Sequence, residues 1–171
     1  SEMVRAARPI AIAETVDGLD DQTAIVRIRQ DGTDKLSVAF YKVDDLVGSI
    51  GGVVPGSAKY AEQAAGRAYH TETGATSIDG PGYGKFAQHS LVNVDSGDLI
   101  AMKLTNVSTQ NTYWAFAQAN ETSGGQPVAH LWNYGLDTWG WEDRPDGGDH
   151  DFNDLIVGLD FTSSYGSGWL T

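Results

Sequence analysis

The chain has 171 residues, 40% of them apolar and five of them Trp, enough for one domain with a sizeable core and too apolar for disorder. Its 23 acidic and 11 basic residues leave a formal charge of −12, which repels nucleic acid and anionic lipid and attracts cations. The absence of cysteine excludes disulfides and thiolate metal sites, and no apolar run approaches the roughly 18 to 20 residues of a spanning helix, so neither a nucleic-acid partner nor membrane insertion is expected.

In chain order, the opening SEMVRAARPIAIAE lacks the charged-then-apolar order of a signal peptide, and its abrupt start suggests a piece of a longer protein whose export signal lies elsewhere. Residues 24–29 (AIVRIR) and 36–43 (LSVAFYKV) predict two strands, joined as a hairpin by the QDGTD turn at Asp31-Gly32. After the Pro55-Gly56 turn, SAKYAEQAAGRAY carries Tyr60, Ala64 and Ala68 at helical spacing with Ser57 as N-cap, which predicts one short helix. Residues 70–84 read as loop. Further strands are predicted at 90–94, 99–107, 112–117, 128–134 and 155–161, separated by turn residues as in a β-sandwich or jelly roll. Nothing recurs at a fixed period, so 1–171 is read as one all-β domain with a single short helix.

The segment WEDRPDGGDHDFND, residues 141–154, holds the most specific chemistry. Asp149, Asp151 and Asn153 stand at i, i+2 and i+4, a spacing that lets three side-chain oxygens converge in an irregular loop. Asp154 supplies another. Gly147-Gly148 permits the tight turn that returns Glu142 and Asp143 to the same place. Carboxylates about 4 Å apart repel by on the order of 1 kcal/mol per pair even in water, and only Arg144 and His150 lie within the cluster. A solvated acidic turn is the plain alternative; the crowding argues instead for a calcium ion, which takes six to eight oxygens where magnesium keeps its waters and zinc prefers nitrogen or sulfur. The loop is not an EF-hand, because Asp154 occupies the position that glycine takes there. Beyond it Leu155, Val157, Leu159 and Phe161 share one face by twofold alternation, so the acids lead straight into a core strand.

The run W-E-D-x3-G-G-D-x-D-F-N-D-L, with YWAFAQANE upstream, YKVDDLVGSIGGVVPGSAKYAEQAAGRA at 41–68 and IDGPGYGKF at 78–86, resembles a calcium-binding domain of formally unknown function found in large secreted bacterial adhesins of the repeats-in-toxin type. The resemblance covers about three quarters of the chain and least of its first twenty residues. It implies a calcium-stabilised β-sandwich, exported by a type I route to the cell surface and carried among other domains of one long chain. It implies metal roles for Glu142, Asp143, Asp149, Asp151 and Asp154 and a second acidic site at Asp44 and Asp45. Asp146 adds one acid beyond the pattern and joins the candidate ligands, and His150 stands where the family often has a basic or polar residue.

Three functions follow. The first is a calcium-dependent adhesion module for a cell-surface peptide or glycan. Trp132, Tyr134, Trp139 and Trp141 cluster before the acidic loop, and at least two of them are expected in the core, while Trp139, flanked by Thr138 and Gly140, is the first choice for an exposed one. Trp139, Trp132, His130 and Tyr83 are the candidate ligand contacts. The second is a calcium-rigidified spacer without a ligand. The third, a glycan-acting enzyme, is disfavoured, since acids neutralised by a metal shuttle protons poorly and none of the four His sits in a recognisable catalytic motif.

Overall fold

Residues 9–13, 22–135, 137–145 and 152–162 are described by the structure, a computed structural model. Alternation of apolar and polar side chains generates two antiparallel sheets. The first contains β1 (Ala11–Ile12), β3 (Leu36–Val43), β4 (Ile78–Asp79), β6 (Leu99–Asn106) and β7 (Asn111–Trp114), in the order β1-β6-β3-β4 with β7 also on β6. The second contains β2 (Gln22–Gln30), β5 (Phe86–Val94), β10 (Leu131–Gly135), β11 (Thr138–Trp141) and β12 (Leu155–Thr162), ordered β10-β11-β12-β2-β5. A small ribbon pairs β8 (Thr122–Ser123) with β9 (Gln126–Pro127).

The inward faces of the sheets meet in one core. Ala24, Val26 and Ile28 of β2, and Leu155, Val157, Leu159 and Phe161 of β12, pack in one cluster with Leu36, Val38 and Phe40 of β3 and Met102 and Leu104 of β6. The fold is therefore an all-β sandwich, and the face predicted for residues 155–161 is the buried one. In β3 the pattern changes at Tyr41 and Val43, which are buried on the opposite face. The helix α1 (Tyr60–Gly66) covers that face, and Tyr60 and Ala64 form a second core with Tyr41, Val43, Ala101 and Trp114. Tyr60 Oη donates to the Gly48 carbonyl at 2.7 Å and accepts from Tyr41 Oη at 3.1 Å, so burial of these polar tips leaves both satisfied. Burial pushes the Tyr60 hydroxyl up to about 12.

Two local expectations are corrected. Residues 22–30 and 36–43 are strands but not partners: β2 pairs with β12 and β5, β3 with β6 and β4. Both strands bury an apolar face, and a sandwich satisfies both by placing them in opposite layers, so QDGTD is a crossover between sheets. It is held open by Gln30, whose Nε2 donates to the carbonyls of Gly32 (2.9 Å) and Asp34 (2.8 Å). The helix begins at Tyr60 rather than after Ser57. Lys59 is its N-cap with no side-chain cap, the Ser57 carbonyl accepts from Tyr60 N–H at 3.0 Å, and Ala68 bridges to Tyr41 outside the helix. Among the described residues no helix is long and apolar enough to cross a membrane.

Candidate metal centre

The crossover and the acidic segment meet at one end of the sandwich. The Asp154 carbonyl accepts from the N–H groups of Asp31 (3.1 Å) and Gly32 (3.0 Å), while Asp154 N–H donates to Trp141 O at 3.0 Å. A Cβ on Gly32 would lie 3.0 Å from Asp143 Oδ2 and 3.2 Å from Asp154 Cβ, so glycine lets the crossover close over the acids. Asp143 N–H donates to Asp154 Oδ2 at 2.9 Å. Asp31, Gly32, Thr33, Asp143, Arg144 and Asp154 line a cavity of about 340 Å³.

Charge in this cavity is unbalanced. Asp143 is buried, and its carboxyl is pushed up to about 7, first by burial, then by its hydrogen bond to Asp154 and by the charges of Asp154 and Asp34. Arg144 opposes this, reaching Asp34 at 3.1 Å and Asp143 at 3.6 Å. Asn106, fully buried, donates from Nδ2 to Asp34 Oδ2 at 2.8 Å and to the Asp143 carbonyl at 3.0 Å, which locks the two segments together.

Glu142 is fully buried beside this cluster, and its Oε1 accepts from Phe152 N–H at 2.5 Å. Its backbone exchanges hydrogen bonds with His130: Glu142 N–H donates to the His130 carbonyl at 2.8 Å, and His130 Nδ1 lies 3.0 Å from the Glu142 carbonyl. The other ring nitrogen of His130 lies 2.9 Å from Glu121, and the ring stacks on Tyr113 with centroids 4.0 Å apart.

Each predicted position can now be placed. Asp143, Asp154 and Glu142 come together. Asp146, Asp149 and Asp151 lie outside the described residues, and among the described residues no three of Asp, Glu, His or Cys form a group placed to hold a metal ion. Asn153 lines a different cavity, on the outer face of the second sheet. Asp44 and Asp45 organise a turn: Asp45 Oδ1 accepts from Val47 N–H (3.1 Å) and Ser49 N–H (2.9 Å), and Asp44 accepts from Gly51 N–H (2.7 Å) and pairs with Arg67 (2.9 Å). Both carboxyls are held below the usual range, Asp44 chiefly by Arg67 and Asp45 by the Ser49 N–H.

Of the ligand candidates, Tyr83 and Trp132 are exposed, and Trp132 lies beside Phe152 with ring centroids 6.0 Å apart. Trp139 and His130 are not at the surface. Trp139 pairs with Val157 and Trp141 with Leu155, so twofold alternation sends both indoles into the core while Thr138 and Gly140 face outward. His130 is consumed by Glu121, Glu142 and Tyr113. Asp34, Gln30, Asn106 and Glu121 also belong to the site and are not among the residues predicted from sequence. For Asp34 and Gln30 the available signal was the QDGTD turn itself, which a hairpin assignment hides; a lone Asn or Glu carries none.

A family model described as "Domain of unknown function (DUF4114)" matches residues 85–162, a little under half of the chain. The match runs from β5 through β12 and takes in Glu142, Asp143 and Asp154 but neither Asp34 nor the Asp44–Asp45 turn. No curated protein and no solved structure matches the chain.

Proposed function

We propose that the chain is a calcium-dependent ligand-binding module of a secreted bacterial adhesin, directed at a peptide or glycan on a target surface. The observation that supports the metal is the crowding of Asp143 and Asp154 against Gly32, with the charge of Asp34 also acting on Asp143 and Arg144 as the cation that opposes it. Hard oxygen donors crowded beside Asp143, whose carboxyl is pushed up by burial and by Asp154 and Asp34, fit a hard divalent cation, which neutralises them without a proton. Asp143 and Asp154 would hold the ion, with further oxygens from the segment 146–151. The adhesive role and the secreted setting draw on the resemblance of the acidic run; the exposed aromatics Trp132 and Tyr83 supply contact surface. The proposal includes no catalytic chemistry, because Glu142 is tied to Phe152 N–H and Asp143 to its acidic neighbours.

A spacer role has one observation in its favour. Asp154 and Glu142 bond the acidic segment to Trp141, His130 and the crossover, so an ion there stiffens two layers whether or not a ligand arrives. Equilibrium dialysis against calcium at extracellular, millimolar concentration tests the metal, and retention of at least one ion per chain is expected. Chelation should then lower the melting temperature by more than about ten degrees, since an ion that binds only the folded chain stabilises it by mass action. An unchanged melt in chelator removes calcium from the proposal. Peptide and glycan screens in calcium separate the adhesion module, which binds, from the spacer, which does not.

A further inference from the structure

Gly158 sits in the middle of β12, a central strand, where glycine weakens the sheet and often marks a place that a ligand approaches closely. Its backbone does not require glycine. It is absent from the left-handed residues, and an added Cβ would meet only Arg27 O at 3.9 Å and Thr138 Oγ1 at 4.0 Å, ordinary contacts. Gly140 on the adjacent strand differs, because a Cβ there would strike the Phe152 carbonyl.

What Gly158 does leave is a trough. Register aligns Ile156 with Arg29 and Phe86, and Gly158 with Arg27 and Gln88, so these side chains stand in rows across the outer face of the second sheet. The trough, about 960 Å³, is lined on one side by Tyr134, Thr138 and Asn153 and on the other by Phe86 and the two arginines. That volume lies at the upper end of small-molecule sites, about 300 to 1,000 Å³. Phe86 is 77% exposed and Tyr134 51% exposed, large apolar surfaces that a stable fold does not need in water.

We propose that this trough is a binding groove for a neutral oligosaccharide. Its four charged lining residues balance, Arg27 and Arg29 against Asp137 and Asp160, and Arg27 is ion-paired with Asp160 while Arg29 pairs with Asp31 at 3.2 Å. The lining thus offers no surplus charge of either sign to select a charged ligand, and a polyanion is further repelled by the chain's charge of −12, whereas guanidinium donors and carboxylate acceptors side by side match the alternating donor and acceptor character of sugar hydroxyls. Aromatic side chains at Tyr134 and Phe86 provide apolar faces for pyranose rings. An extended peptide is disfavoured on the floor of the trough: it gains affinity by adding to a sheet edge, and the backbone of β12 and β2 is already paired on both sides, leaving β5 at the rim as an edge strand. The groove is separate from the acid cluster and does not rest on the calcium reading.

The test is titration calorimetry of the whole chain, in calcium, with four neutral hexasaccharides: maltohexaose, cellohexaose, mannohexaose and laminarihexaose. Saturable binding of at least one is expected. Gly158→Val fills the floor with a residue that strands favour, so binding should fall at least tenfold while the melt stays within a few degrees, roughly the range of ordinary surface changes. Phe86→Ala, at an exposed edge position, should weaken binding about fivefold and serves if the first variant fails to fold. No saturable binding by any of the four, or binding that survives both substitutions, overturns the groove. Calcium retention measured on the same samples keeps the two ideas apart: a chain that holds calcium and no sugar sinks the groove alone, and one that binds sugar without calcium sinks the metal alone.

Discussion

Gly140 and Gly158 face the same side of neighbouring strands and do opposite work. At Gly140 the Phe152 carbonyl occupies the place a Cβ would take, and Phe152 itself has φ 52°, a left-handed conformation uncommon for a bulky residue. Phe152 N–H is held by Glu142 and its carbonyl accepts from Tyr134 Oη at 3.3 Å, so this one residue is pinned from both sides where the acidic segment returns to the sheet. Gly140→Ala should push Phe152 out of place and cost about 2 kcal/mol, as overpacking does, read from the midpoint of urea unfolding. A midpoint unchanged within error contradicts the close approach.

At the level of elements, the first sheet buries both faces and the second only one. The apolar residues of β3 switch sides at Tyr41, and α1 exists to cover the side thus created. With seven residues the helix is too short to persist alone, so its order depends on Tyr60 packed at 5.4 Å from the Trp114 ring and hydrogen-bonded to Tyr41 and Gly48. Tyr60→Ala should cost about 3 to 5 kcal/mol by leaving a cavity and two stranded polar groups. Amide exchange in α1 should speed up well before exchange in β2 and β12, because the second core lies outside the sandwich interior. Uniform loss of protection across all three elements counts against two separable cores.

For the molecule as a whole, charge sets the conditions of stability. The Asp143 carboxyl is raised from 3.8 to about 7 in the folded state, so between these values the folded chain binds more protons than the unfolded one. Without metal, its contribution is fully present below about pH 4 and is lost as pH rises through 7. Melting temperature in chelator should therefore fall from pH 5 to pH 8. Asp154→Asn should flatten that slope and raise the metal-free melt at pH 8, because it removes a neighbouring like charge, while lowering the melt in calcium, where the same carboxylate is the proposed ligand. A variant that lowers both melts equally marks Asp154 as a packing residue only.

Period-two alternation made the strand interiors legible: 36–43 and the buried face of 155–161 were set by which side chains water excludes, and so was the burial of at least two of the four clustered aromatics. The sequence predicts no strand over 138–141, so the alternation that turns Trp139 inward with Trp141 is not legible there, and flanking Thr138 and Gly140 point to the wrong face. Pairing was not legible, since Asp31-Gly32 favours a turn locally but cannot say whether the next strand returns to the same sheet or crosses to the other. Tertiary structure decided that, and with it the site: Asp34 reaches Arg144 and the Asp143 carbonyl's partner Asn106 only because β2 and β3 lie in opposite layers and their crossover closes the end of the sandwich. Local residues determine which segments extend and which carry charge; only the requirement that two apolar faces share one dry interior determines which charges meet.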